Sequence, residues 1–153
     1  MARLRQAAVV ILCLLSVSGG FAFDVQYGSL FKVKGIKLKN GLPVLPLSRN
    51  KYANVRVLDK ETFEWLKGCA LFCKQTEAPG KIRILSVRAA KTRPGMWISE
   101  VAVDQKWLFS FLVFQREKQV DVVDPEGVEI LDKAWTDRIY KELQDRISGP
   151  QEE

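Results

Sequence analysis

The chain has 153 residues, with 24 lysines and arginines against 18 acids and no histidine at all. The missing imidazole excludes Ser-His-Asp and Cys-His catalysis, histidine-ligated zinc and haem attached through Cys-x-x-Cys-His. A net charge of +6 is too mild for a dedicated nucleic-acid binder, so nucleic acid is not an expected partner.

Residues 1–22 read as a secretory signal peptide. Arg3 and Arg5 form a positive start, Ala7 to Val17 an apolar stretch, and Gly20-Phe21-Ala22 supplies small residues at the cleavage positions before Phe23. The apolar run falls short of the ~20 residues that a membrane span needs, and Ser18-Gly19-Gly20 follows at once, so no integral span is expected in the mature chain. Residues 23–153 then form a single globular domain, long enough to build a core without disulfides or metals. The signal takes two of the 24 basic residues and no acid, so 22 face 18 and the mature charge is +4. Cys13 goes with it, which leaves Cys69 and Cys73, too few for a disulfide framework. Asn40, Asn50 and Asn54 all lack the hydroxyl residue of a glycosylation sequon. The expected location is periplasmic or secreted, leaning towards a bacterial envelope over a eukaryotic secretory route.

Leu30 to Leu38 alternates as a strand, Phe31-Lys32-Val33-Lys34 and then Ile36-Lys37-Leu38-Lys39, with Gly35 between as a bulge and Asn40-Gly41 as a tight turn. Two prolines make Leu42 to Leu47 an edge or a connector. Ser48 to Lys51 reads as a polar loop and Asn54 to Leu58 as a short strand. Asp59 is placed as the N-cap of a helix, with Phe63, Leu66, Ala70 and Cys73 on one face and Trp65, Cys69 and Phe72 widening it. Gly68 weakens the middle of that helix and Glu77 to Gly80 ends it. Ile82 to Val87, Trp97 to Val103 and Trp107 to Gln115 follow as an antiparallel meander. The third strand is apolar on nearly every residue, so it belongs at the sheet centre. Gln119 to Val123 is a further short strand, and Asp124 to Gly127 a turn. Asp132 caps a last helix whose stripe is Trp135, Ile139, Leu143 and Ile147, with Ser148-Gly149-Pro150 as its stop. The expected fold is α+β: an antiparallel sheet, the Ile82 to Gln115 meander, packed by two amphipathic helices.

Chemistry is sparse. Cys69 and Cys73 stand four apart, a spacing that suits a structural disulfide, two buried thiols, or a soft-metal or redox pair. The disulfide is preferred, although a regular helix would hold the two Cβ atoms too far apart for it. Asp121, Asp124, Glu126 and Glu129 cluster without the ligand order of a calcium loop and read as a solvated turn. No metal site and no cofactor is expected. Trp65, Trp97, Trp107 and Trp135 read as core residues rather than as a ligand cleft. Ser86, Ser99 and Ser110 lack a nucleophile elbow. Lys32, Lys34, Lys37 and Lys39 form a ladder on one face of the first strand. It is suited to an anionic polymer or lipid head groups, or, as the preferred reading, to guarding a sheet edge against aggregation. The expected function is that of a non-catalytic binding or accessory protein of the envelope or secretory space, with an unknown protein or envelope component as partner. The alternatives are a thiol- or metal-handling factor using Cys69 and Cys73, and a histidine-independent enzyme using carboxylates.

Overall fold

The computed structural model of the chain describes residues 22–46, 54–69 and 71–148. The expected signal up to residue 21, the polar loop Ser48 to Lys51 and the Gly149-Pro150 stop lie outside them. Among the described residues, ten strands and two helices follow in chain order: β1 Ala22–Tyr27, β2 Phe31–Lys39, β3 Leu42–Val44, β4 Val55–Val57, α1 Lys60–Lys67, β5 Phe72–Gln75, β6 Ile82–Ala89, β7 Met96–Val103, β8 Trp107–Arg116, β9 Gln119–Val123, β10 Val128–Ile130 and α2 Lys133–Ser148. Half of the described residues are strand and a fifth helix, in two sheets, so the molecule is mainly β and the α+β expectation is corrected. The physical reason lies in the first half of the chain. Apart from β4, its strands do not extend the meander but, joined by β10, build a second sheet, and the two helices serve the shared core instead of forming a separate layer.

The first sheet runs β10-β2-β1-β5, with β3 beside the far end of β2. The second runs β4-β8-β7-β6, with β9 also paired to β8. All pairings are antiparallel except β1 with β5, which is parallel. The meander is therefore β6-β7-β8, and β8 has partners on both sides, as its continuous apolar run requires. Gly35 is the extra residue of a bulge in β2, where the register with β1 shifts and the Gly35 N–H donates to Asp24 Oδ1 at 3.1 Å. The bulge keeps Phe31, Val33 and Ile36 all buried and the intervening lysines all outside. Asn40 and Gly41 have φ of 54° and 76°, the left-handed pair that a two-residue hairpin turn demands.

The inner faces meet on Phe31. Its ring lies 5.7 Å from Trp107 and 4.8 Å from Phe109 across the sheets, 5.2 Å from Tyr27 and 5.7 Å from Trp135 of α2. Trp135, Ile139, Leu143 and Ile147 are all buried in this same core, and Asp132 Oδ1 accepts the Trp135 N–H at 3.1 Å as the cap. A second, smaller cluster of Met96, Ile98 and Leu112 sits on the opposite face of β7 and β8.

α1 is shorter than its apolar spacing predicts. Asp59 caps it, accepting from the Thr62 N–H at 3.1 Å, but it stops at Lys67 with Gly68 as C-cap, and Phe72–Gln75 is strand. Gly68 thus ends the helix rather than weakening its middle: its N–H and that of Cys69 bond three residues back, to Trp65 and Leu66 at 3.1 Å each.

One polar hub locks the end of the sandwich. The Asp104 carboxylate, in the β7–β8 turn, accepts from Tyr27 Oη at 2.6 Å, Gly80 N at 2.9 Å and Lys81 N at 2.6 Å. The Gly80 carbonyl in turn accepts from Trp135 Nε1 at 2.9 Å and Arg138 Nη2 at 3.3 Å. Gly80 has φ +73°, and a Cβ there would stand 2.8 Å from Leu30 Cδ1 and 3.1 Å from Trp135 Nε1, so any side chain would be strained and would have to displace Leu30 and crowd the Trp135 indole. Burial, and then the Asp104 carboxylate, push the Tyr27 phenol well above its ordinary value of 10.0. Tyr140, whose hydroxyl donates to Asp124, is raised in the same way. These folded phenols keep protons that the unfolded chain releases near pH 10.0, so their contribution is complete below that pH and is lost as pH climbs through the raised folded values. The urea midpoint is expected to hold level up to about pH 9.5 and fall above it, less steeply in a Tyr27→Phe/Tyr140→Phe variant.

Candidate functional site

In the first sheet, alternation turns Phe23, Val25 and Tyr27 of β1, and Phe31, Val33 and Ile36 of β2, into the core. The residues between them face out. Asp24, Gln26, Lys32, Lys34, Lys37 and Lys39 therefore share an outer face with Phe72 and Lys74 of β5, which pair with Asp24 and Gln26. Sequence reasoning placed the lysine ladder on an edge strand. The structure places β2 inside the sheet, flanked by β1 on one side and by β10 and β3 on the other, so its lysines guard no edge.

The ladder divides into a paired lysine and unpaired ones. Lys34 Nζ lies 2.7 Å from Glu129 Oε2. Glu129 holds the Lys34 ammonium above its ordinary range, and Lys34 holds the Glu129 carboxyl below its own, but both side chains are exposed and the pair is a surface contact. Lys32, Lys37, Lys39 and Lys74 make no ion pair within the described residues. Lys32 Nζ instead stands 6.0 Å from the ring centroid of Phe72. That ring is 54% exposed, and the adjacent Leu71 is 78% exposed, the highest of any large apolar residue described. An exposed aromatic and aliphatic pair thus lies on the same sheet face as four lysines that make no ion pair among the described residues.

Cys69 and Cys73 hold that apolar pair in place. They stand at disulfide distance with Cα atoms 5.9 Å apart, and because α1 has already ended their side chains are not held at the helical Cβ spacing. Cys69 is buried and Cys73 half-buried against the core, so the loop between them is anchored at both ends while Leu71 and Phe72 point away from it. Free-thiol titration of unreduced protein is expected to find the pair oxidised, and the closed loop is so short that Cys69→Ala/Cys73→Ala should cost at most about 2 kcal/mol of stability.

No family model, curated protein or solved structure matches this chain, so the outer face is interpreted from its own residues. The other sequence candidates do not converge. Asp124 takes the Tyr140 hydroxyl, Glu129 pairs with Lys34, and Asp121 Oδ1 accepts from Gln119 Nε2 at 3.3 Å. Among the described residues no group of three or more metal-ligating side chains gathers. Trp107 and Trp135 are buried and Trp65 and Trp97 pack half-buried on the same core. Ser99 and Ser110 are buried, the latter donating to Asn54 Oδ1 at 3.0 Å. No helix of the described residues is long and apolar enough to cross a membrane. Sequence reasoning missed Leu71, Phe72 and Lys74 as surface residues because Cys69, Phe72 and Cys73 continue the apolar face of α1 and carried the helix across them. The signal that separates them is Gly68 followed by two cysteines that a helix could not join.

Proposed function

We propose that the protein is a non-catalytic, exported binding protein of the envelope that rests on an anionic lipid surface through the outer face of its first sheet. The observation that carries this is the junction of Leu71 and Phe72 with the four unpaired lysines. Lysines near an anionic leaflet contribute about 1 kcal/mol each, and burying a Leu or Phe side chain adds about 1.5–3 kcal/mol, so the two terms together suffice for reversible peripheral binding. The apolar pair favours lipid over an anionic polysaccharide, which offers acids but no hydrocarbon to receive a phenyl ring. The Asp104 and Tyr27 hub does not take part; its carboxylate is committed to three donors of the fold.

Sedimentation with vesicles tests the reading. Binding is expected to vesicles containing phosphatidylglycerol and not to purely zwitterionic ones. Leu71→Ser/Phe72→Ser should weaken it by roughly tenfold or more while leaving the melting temperature nearly unchanged, since both residues are exposed. Capture by a sulfated polysaccharide with equal strength in wild type and variant would replace lipid by polymer as the partner.

A further inference from the structure

At the end of the sandwich, the β7–β8 turn, the segment before β6 and the last residue of β1 enclose a cleft of about 430 Å³. Its apolar lining is Tyr27, Pro79, Ile82 and Ala102. Its lining also includes Lys81, Arg83 and Lys106, and Arg83 stands opposite Ala102 in the β6–β7 register. None of these three cations makes an ion pair within the described residues. Two acids also line the cleft, and they are not equivalent. The Asp104 oxygens are turned to Tyr27, Gly80 and Lys81 backbone and hydroxyl donors, which fixes that carboxylate as part of the wall. Glu77 is then the single acid left to answer three cations.

The cleft is also held open by the fold. Asp104 ties the β7–β8 turn to the segment at Gly80, and Trp135 and Arg138 hold the Gly80 carbonyl from the other side. A pre-formed pocket of this volume, lined by apolar side chains and by three cations, has the size and polarity of a site for a single small molecule. Unpaired cations beside a low-dielectric wall attract an anion more strongly than the same groups on open surface. We infer that this cleft binds a small amphiphile with one anionic head, a carboxylate or a phosphate monoester, whose apolar body lies on the apolar lining and whose head meets Lys81, Arg83 and Lys106. The site is separate from the outer face of the first sheet and does not depend on its proposed role.

The test is an NMR titration of the purified protein with decanoate, decyl phosphate and decyltrimethylammonium, following the amides of Gln105 and Lys106. Saturable shifts in the millimolar range or below are expected for the two anions, with the cation at least about tenfold weaker. Arg83→Gln/Lys106→Gln should weaken both anions by about tenfold or more, at an unchanged melting temperature. Lys37→Gln/Lys39→Gln should leave them unaffected, which keeps this result independent of vesicle binding. Equal binding of anion and cation, no saturable shift at these amides, or an Arg83→Gln/Lys106→Gln variant that binds like wild type would each overturn the inference. Response only to anionic vesicles, abolished by Lys37→Gln/Lys39→Gln, would assign the anion to the outer face and overturn it too.

Discussion

Phe31→Ala is expected to destabilise the protein by roughly 3–5 kcal/mol, the range for removing a fully buried phenyl ring whose cavity cannot collapse. Phe31 is 0% exposed and touches both sheets and α2 through four aromatic neighbours, so both sheets and the helix lose a contact at once. The rings around it cannot close the gap, because Trp107, Phe109 and Tyr27 are themselves fully buried and fixed by their strands. Urea denaturation measures the effect directly. Phe31→Leu, which keeps much of the volume, should recover most of the loss, and a Phe31→Ala variant within about 1 kcal/mol of wild type would show that the sheets do not share one core.

Asp104→Ala is expected to cost roughly 2–4 kcal/mol. The substitution strands the buried Tyr27 hydroxyl and the Gly80 and Lys81 N–H groups together, and it puts alanine at φ 51°, where Asp and Asn are better tolerated. Asp104→Asn keeps one carbonyl acceptor and the same backbone tolerance, so it should fall between the two. The loosened segment should also show in the cleft beside it as faster amide exchange at Gly80 and Lys81.

Much of this fold is legible in the chain, and the parts that are not share a cause. The β6-β7-β8 meander follows from alternation and turn residues within one stretch, as does α2 from Asp132 and its four-residue stripe. β1 escapes notice although Phe23-Asp24-Val25-Gln26-Tyr27 alternates strictly, because it abuts the expected cleavage site. β5 is only four residues long, and Cys69, Phe72 and Cys73 also satisfy a helical spacing, so period alone assigns it to α1. Its true partner is β1, more than forty residues earlier and running parallel, and no local signal announces such a pairing. With β1, β5 and the three residues of β10 unseen, the first-half strands have no sheet to belong to, and α+β is the natural misreading. The candidate surface was half legible for the same reason. That Lys32, Lys34, Lys37 and Lys39 share one face follows from alternation around the Gly35 bulge, whereas their meeting with Phe72 follows from the β1–β5 pairing alone.

The most direct measurement of the central claim is the salt dependence of wild-type partition onto vesicles containing phosphatidylglycerol. Four unpaired lysines acting through screened attraction predict that affinity falls by tenfold or more as the Debye length shortens from about 30 Å at 0.01 M salt to about 8 Å at 0.15 M. A residual weak affinity from Leu71 and Phe72 should persist at the higher salt. Partition that is strong and indifferent to salt, or equal on zwitterionic vesicles, would contradict the account.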